Sequence, residues 1–338
     1  MEKRNNWFKS YQSIGTINGQ RDVEYRKKFF KKYDFNNSSV IDIGCNIGQM
    51  CFLSKEFGAS NVLGIDYDSN ALQIAHSLNK DNTIDFQCDD IDNYLFYTDL
   101  ECYDVCLLLS VIGTTELENK NGILSKLSQK TKKVMYIEGH HDVMKAKELF
   151  HLILNNTTFS TIQYLGQTYD NQDFKNKNRS RAFFRCSREE LNQESFNNKF
   201  YNIIENNNDS LNVISGHGGS GKSFVLDKLI KFLENDKKIL FSKNINYNKK
   251  IYINEELKII ITDDIPVENL LNIINGYKHI LVVDFRGIEY LHNFDITNLF
   301  HIKCNVKTRI KNRPEYKYDR SPPLNIPLIQ NVYHISNM

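Results

Sequence analysis

No apolar run in the 338-residue sequence reaches the roughly 18 residues that a helix needs to cross a bilayer. The first residues also lack the basic-then-apolar order of a secretory signal. Charge of one sign is missing as well: Lys plus Arg number 43 against 41 for Asp plus Glu, a net charge of +2. So balanced a chain gives no support to nucleic-acid binding over its whole surface and leaves only a local basic patch for that purpose. No CxxC pair occurs among the seven cysteines (Cys45, Cys51, Cys88, Cys102, Cys106, Cys186 and Cys304), which are odd in number and scattered. No repeat of 20–50 residues is visible. What is present is ordinary for a globular protein: 41% hydrophobic and 25% charged residues exclude disorder and collagen-like structure. The expectation is a reduced, cytosolic, soluble protein with no transmembrane segment. Peripheral membrane association and oligomeric state stay open. At roughly 150 residues per domain, the length suggests two domains.

Two strand-like runs open onto glycine-rich turns, Ser39-Val40-Ile41-Asp42-Ile43-Gly44 and Leu211-Asn212-Val213-Ile214-Ser215-Gly216. A strand that enters glycines and then a helical pattern begins a nucleotide-binding α/β unit. Between the two lies a polar, Asn-rich stretch. The reading is a first domain over 1–195, a linker over 196–210 (with Phe196–Ile204 open to a short helix) and a second domain over 211–338. In the first domain, strands 39–43, 61–65, 83–87, 103–109 and 132–138 alternate with helices near 48–57, 69–79, 91–96 and 119–129. That alternation predicts a mostly parallel, doubly wound sheet. Strands at 158–165 and 181–187 would form an antiparallel pair at its edge, and residues 1–35 a helical cap. In the second domain, strand 211–215 leads to a helix at 222–234 and strands at 238–242, 257–262, 279–284, 299–303 and 332–336. Roughly 125 residues are enough there for one small α/β core.

The first turn, Val40-Ile41-Asp42-Ile43-Gly44-Cys45-Asn46-Ile47-Gly48, is followed by Gly64-Ile65-Asp66-Tyr67-Asp68 and by Asp89-Asp90. Gly44 permits a tight turn and Gly48 a close approach of backbone to ligand. Asp42 at its strand end can receive an ammonium group. Asp66, ending the next strand, can accept two ribose hydroxyls. A nicotinamide-binding domain would prefer GxGxxG, and this segment reads GxxxG. Three acids at three successive strand ends resemble class I S-adenosylmethionine-dependent methyltransferases, as does Tyr103-Asp104-Val105-Cys106-Leu107-Leu108-Leu109-Ser110-Val111 as their fourth strand. The resemblance covers roughly residues 35–140 and implies a Rossmann-like fold. It also implies a donor site of Asp42, Gly44, Asn46, Gly48, Asp66 and Asp89.

The acceptor is less defined. Ser110-Val111-Ile112-Gly113 is not the Asn/Asp-Pro-Pro-Tyr type of motif used on exocyclic amines. Glu138 and His140, after the fifth strand, would face the acceptor, where a hydroxyl would need a general base; His140 is the catalytic candidate, and a structural role for it competes. Arg179, Arg181 and Arg185 recur with period two and would line one strand face, able to hold a phosphate or to guard a solvated edge. This stretch, with the front half, is similar to the methyltransferase domains of O-antigen chain-terminating enzymes, which methylate a glycan-end phosphate.

The second turn, Gly216-His217-Gly218-Gly219-Ser220-Gly221-Lys222-Ser223, matches GxxxxGK[ST] between a strand and a helix. Backbone amides of Gly216, Gly218, Gly219 and Gly221 would surround a β-phosphate, Lys222 would reach the β- and γ-phosphates, and Ser223 would ligate Mg²⁺. Of the acids at later strand ends, Asp284 suits the metal and Asp263 or Asp264 the acceptor hydroxyl. Arg309 and Arg313, in a run of basic residues, resemble the lid of P-loop kinases; an ordinary basic surface helix is the plainer reading. The absence of NKxD favours ATP over GTP. The expected fold class is therefore α/β in two doubly wound domains, a methyltransferase and a smaller P-loop NTPase or kinase.

Together these features suggest a bifunctional methyltransferase–kinase acting on a small-molecule or glycan acceptor, in one version methylating the phosphate that the kinase adds. The chain-terminating enzymes carry a protein-kinase-like domain where this chain has its phosphate loop. Two alternatives stand beside it: an RNA-end polynucleotide kinase/methyltransferase, and a methyltransferase gated by a domain that binds ATP without transferring phosphate.

Overall fold

The computed structural model describes residues 12, 14, 21–92, 100–113, 117–140, 146–169, 180–206, 208–215, 220–246, 249–263, 276–283, 296–303 and 329–336. The chain divides into two compact units, Met1–Arg188 and Glu189–Met338.

In the first unit the strands are β1 (Ser39–Ile43), β2 (Asn61–Asp66), β3 (Ile84–Cys88), β4 (Tyr103–Leu109), β5 (Thr131–Glu138), β6 (Thr161–Thr168) and β7 (Arg181–Ser187). They lie in the order β3-β2-β1-β4-β5-β7-β6. The first five run parallel, and β7 is antiparallel to both β5 and β6. Val40, Ile41 and Ile43 are all buried, so β1 is covered on both faces, as a central parallel strand must be. Strand order reverses at β1, which opens a crevice at its carboxyl end. Helices follow the strands: Gln49–Glu56, Ser69–Leu78, Lys120–Lys130 and Ala146–Asn156. The third of these is capped by the Asn119 side chain on the Gly122 amide at 2.9 Å. The last was absent from the sequence reading, although Leu149, Phe150 and Ile153 give it one buried stripe. Expected helix 91–96 falls mainly outside the described residues.

Of the expected cap over residues 1–35, two short helices are described, Val23–Lys27 and Lys32–Phe35. With the turn between them they cover one face of β5 and β7 with aromatic rings: Phe30, in that turn, lies 4.9 Å from Tyr136 and 5.4 Å from Phe183, centroid to centroid.

In the second unit, β8 (Ser210–Ser215), β9 (Ser242–Asn246), β10 (Lys249–Asn254), β11 (Ile259–Asp263), β12 (His279–Val283), β13 (Ile296–Lys303) and β14 (Ile329–Ser336) take the order β14-β13-β8-β12-β11-β10-β9. From β14 to β11 all pairings are parallel. Here β8, the first strand of the unit and the one that enters the second glycine-rich turn, lies between the later strands β12 and β13. A row of asparagine side chains crosses three of these strands: Asn331 donates to Asn298 at 3.1 Å, and Asn298 to Asn212 at 2.7 Å. Sliding any strand by one residue would turn its asparagine away from the row, so the row penalises register slips.

Within the expected linker over 196–210, the short helix left open at Phe196–Ile204 forms and is longer than that: it spans Gln193–Glu205, so this part of the stretch is no spacer, and the Asn192 side chain caps it on the Ser195 amide at 2.8 Å. Phe196, Phe200 and Ile204, spaced four apart, are buried in the second unit's core beside Phe300 and Leu229. The Asn-rich composition hides this apolar stripe. A strand expected at 238–242 is displaced to Ser242–Asn246, where it forms an edge hairpin with β10. That hairpin is rich in Lys and Asn, the polar guarding of an exposed edge, and this weakened its strand signal.

Candidate functional site

The first glycine-rich turn leaves β1 with three left-handed residues, Gly44 at φ 74°, Asn46 at 52° and Gly48 at 82°. A Cβ on Gly44 would stand 2.5 Å from Val111, and one on Gly48 2.7 Å from the Phe86 ring, so both positions need glycine for conformation and for space. The turn is tied to β2 by the amides of Gly44 and Cys45, which donate to the Ile65 carbonyl at 2.8 and 2.9 Å. Asp66 clamps it further, accepting from the Asn46 amide at 2.8 Å and from the Asp68 amide at 2.9 Å. The Asp89 amide donates to the Asp66 carbonyl at 3.1 Å, which sets the third acid next to the second. From the N-terminal segment, Gln12 reaches onto the turn. Its amide donates to the Cys45 carbonyl at 3.2 Å, and its carbonyl accepts from the Gln49 amide at 3.3 Å. The structure thus brings Asp42, Gly44, Asn46, Gly48, Asp66 and Asp89 to one end of the sheet.

Asp42 is buried, and burial pushes its carboxyl up to about 7; the Cys51 thiol, donating at 3.5 Å, works against this, while the charge of Asp66 adds to it. Asp66 is raised too, by burial first, with the amides that donate to it opposing. A positively charged ligand group favours ionised Asp42. Affinity for S-adenosylmethionine is therefore expected to fall about tenfold per pH unit below about 7, because each unit protonates the unliganded carboxyl further. Calorimetric titration between pH 8 and 5.5 measures this, and an affinity flat across that range would remove Asp42 from contact with the ammonium group.

Beyond the turn, Glu138 closes β5 and is 0% exposed. It accepts from Arg26 at 2.7 Å and also from the hydroxyls of Ser110 and Thr168. Burial alone would raise its carboxyl. The charges of Arg26, Arg21 and Arg181, with the Ser110 hydrogen bond, outweigh burial and hold it at about 2. A group so acidic is no proton acceptor near neutrality; Glu138 anchors guanidinium groups. Ser110, after β4, sits at φ 62°, a left-handed conformation rare for serine, with its amide on the Glu138 carbonyl at 2.9 Å. His140 is half-buried, and its amide donates to the Ile112 carbonyl at 3.0 Å.

The arginine row divides. Arg185 does not join an acceptor site: its guanidinium makes a fork on Asp34, Nε and Nη2 each at 2.8 Å, with Nη1 on Gln163 at 3.2 Å. Tyr136 donates to the same carboxylate at 2.6 Å. Arg181, on the same strand face, acts instead on Glu138. Arg179 lies outside the described residues. Sequence reasoning missed Arg21, Arg26, Asp34 and Gln12. Their only signal was the basic and aromatic character of the N-terminal segment.

At the second turn, Ser220 and Lys222 are buried, Ser223 is exposed, and Gly221 stands at φ 93°. The helix Lys222–Asn235 starts there with no side chain capping it, so its first amides point toward the turn as an anion site requires. Across the sheet Ser215 shares a hydrogen bond with His301 Nδ1 at 2.9 Å. Asp263 ends β11. Gly216, Gly218, Gly219, Asp264, Asp284, Arg309 and Arg313 lie outside the described residues. Among the described residues, no helix is long and apolar enough to cross a membrane.

Comparison with known proteins bears on the first unit. The human EEF1A lysine methyltransferase 2 is 25% identical over 154 residues, 45% of this chain and 62% of that protein. The ribosomal protein L11 methyltransferase of Thermotoga neapolitana is 36% identical over 66 residues, 20% of this chain and 24% of its own length. The first curated relatives are matched over only 24 to 30% of their length. Among solved structures, the bifunctional kinase-methyltransferase WbdD shares 18% identity over 52% of this chain and 41% of its own, with a TM-score of 0.40. Residues 34–208 match the family model described as Methyltransferase domain. With just over half of its length inside that match, the chain belongs to the methyltransferase-domain family.

Proposed function

We propose that this S-adenosylmethionine-dependent methyltransferase is bifunctional, with its second unit transferring phosphate from ATP to a saccharide or surface-glycan acceptor and its first unit methylating that phosphate. One observation carries the reading: in each unit the first strand of the sheet lies between later, parallel strands and leads into a glycine-rich turn, β1 (between β2 and β4) at Gly44 and β8 (between β12 and β13) before Gly216. In the first unit, Asp66 and Asp89 are set to hold the ribose and adenine of the donor, and Asp42 its ammonium group. When bound, the donor supplies an electrophilic methyl group. In the second, Lys222 and the uncapped amides that follow Gly221 are set for a triphosphate, with Ser223 as a ligand for Mg²⁺ and Asp284 as its counterpart. Asp263 or Asp264 would orient the acceptor hydroxyl, and Arg309 and Arg313 would neutralise the transferring group.

Labelled S-adenosylmethionine, incubated with the protein and with surface-glycan or RNA fractions, tests the pairing. Methyl incorporation is expected to need transferable ATP and to fall at least a hundredfold in Lys222→Ala, which removes the charge nearest the phosphates. Incorporation indifferent to ATP would leave two unconnected activities, support from a non-hydrolysable analogue would make the second unit a switch, and response of the RNA fraction alone would overturn the glycan.

A further inference from the structure

Arg21, Arg26, Asp42, Gly44, Leu109 and Ser110 line one cleft. It therefore joins the carboxyl end of β1, where the methyl donor is expected, to the arginines around Glu138. Arg21 and Arg26 are 3% and 5% exposed, and Arg181, which acts on the same carboxylate, is 2% exposed. Three guanidinium groups bear on one acid in a setting of low dielectric, where each charge is felt far more strongly than in water. Glu138 itself has both oxygens engaged by Arg26, Ser110 and Thr168. Its part is to fix the guanidinium planes. A guanidinium carries five N–H donors, so one bond to Glu138 does not exhaust Arg26.

We propose that Arg21, Arg26 and Arg181 form an oxyanion subsite that receives the methyl acceptor as a phosphate or carboxylate group. This rests on the reading of the first turn as the donor site. The chemistry agrees with the surroundings. A lone pair of the acceptor oxygen forms the O–CH₃ bond as the S–CH₃ bond of the donor breaks, and the electron pair of that bond stays on sulfur. The acceptor enters as an anion and surrenders no proton, so the step needs no base, and Glu138 at about 2 offers none. The arginines also position: planar forks hold an oxyanion in one orientation toward the methyl carbon.

The test uses the full chain and two probes, inorganic phosphate and acetate, titrated at constant ionic strength with S-adenosylhomocysteine bound. Phosphate, acetate or both are expected to bind in the millimolar range, and the stronger probe identifies the acceptor group. Arg21→Gln and Arg181→Gln should each weaken that binding at least tenfold, Arg21→Lys less, while affinity for S-adenosylhomocysteine changes less than threefold. These two positions are chosen because Arg26 holds Glu138 directly, and thermal melts of both variants within a few degrees of the parent show the fold intact. Absence of binding up to 50 mM (a Kd weaker than about 2 kcal/mol of association) overturns the subsite. Binding untouched by both substitutions places the anion elsewhere, the second glycine-rich turn included, and overturns it as well. Failure of S-adenosylhomocysteine to bind the parent protein would instead refute the donor site, a separate result.

Discussion

Replacing Asp66 with alanine is expected to weaken S-adenosylmethionine binding by a hundredfold or more. The carboxylate does two things at once. It holds the turn, through the amides of Asn46 and Asp68 at 2.8 and 2.9 Å, and it stands at the strand end where ribose hydroxyls would be received. Hydrogen bonds to a charged group contribute about 1.5–3 kcal/mol each, so losing a pair of them to the ribose amounts to roughly 3–6 kcal/mol, on the order of a hundred- to ten-thousandfold. Asp66→Asn keeps one carbonyl acceptor and should lose less. Calorimetric titration of the donor reads both variants, and thermal denaturation separates a lost contact from a loosened turn. A variant that binds within threefold of the parent would take Asp66 out of the donor site, whatever its part in the turn.

The first glycine-rich turn and the acids gathered beside it were legible in the sequence because their geometry is local. Asp42, Gly44, Asn46 and Gly48 follow one another along a single strand and turn, and Asp66 and Asp89 come from the next two strands in chain order, which pair in that same order. Strand period and glycine placement suffice for such a site. The side proposed for the acceptor is built from long-range pairs. Arg26 meets Glu138 across 112 residues and Arg185 meets Asp34 across 151, and no periodicity announces either. The row of arginines was placed on one strand face correctly for Arg181 and Arg185, yet a common face does not imply a common task. One is drawn to Glu138 at the end of the neighbouring β5, the other to Asp34, which the helix Lys32–Phe35 brings onto that face. Over residues 196–205 composition and pattern pulled apart: the Asn-rich run suggested a linker, the spacing of Phe196, Phe200 and Ile204 left a short helix open, and the helix is what forms.

Asp34→Ala should be the most damaging single change to the stability of the first unit. Asp34 and Arg185 are 4% and 2% exposed at their side chains, and the fork between them has two bonds of 2.8 Å. Truncating the acid strands a buried guanidinium and removes the acceptor of the Tyr136 hydroxyl, whose burial pushes its own ionisation far upward. Breaking a buried pair from one side costs about 3–5 kcal/mol, which lowers the melting temperature of a unit this size by on the order of 10 °C. The loss comes chiefly from the stranded charge, because the attraction within such a pair scarcely exceeds the desolvation of its two ions. A second variant separates the two: Asp34→Leu combined with Arg185→Met removes both charges, fills much of the space among Phe30, Phe35 and Tyr136, and should recover most of the stability. Differential scanning calorimetry of the full chain follows both. Recovery in the double variant, with affinity for phosphate unchanged, would place Arg185 in the scaffold and leave the anion to Arg21, Arg26 and Arg181. An Asp34→Ala melt within 2 °C of the parent would mean that Arg185 finds another partner and that the fork is not what holds the N-terminal helices to β7.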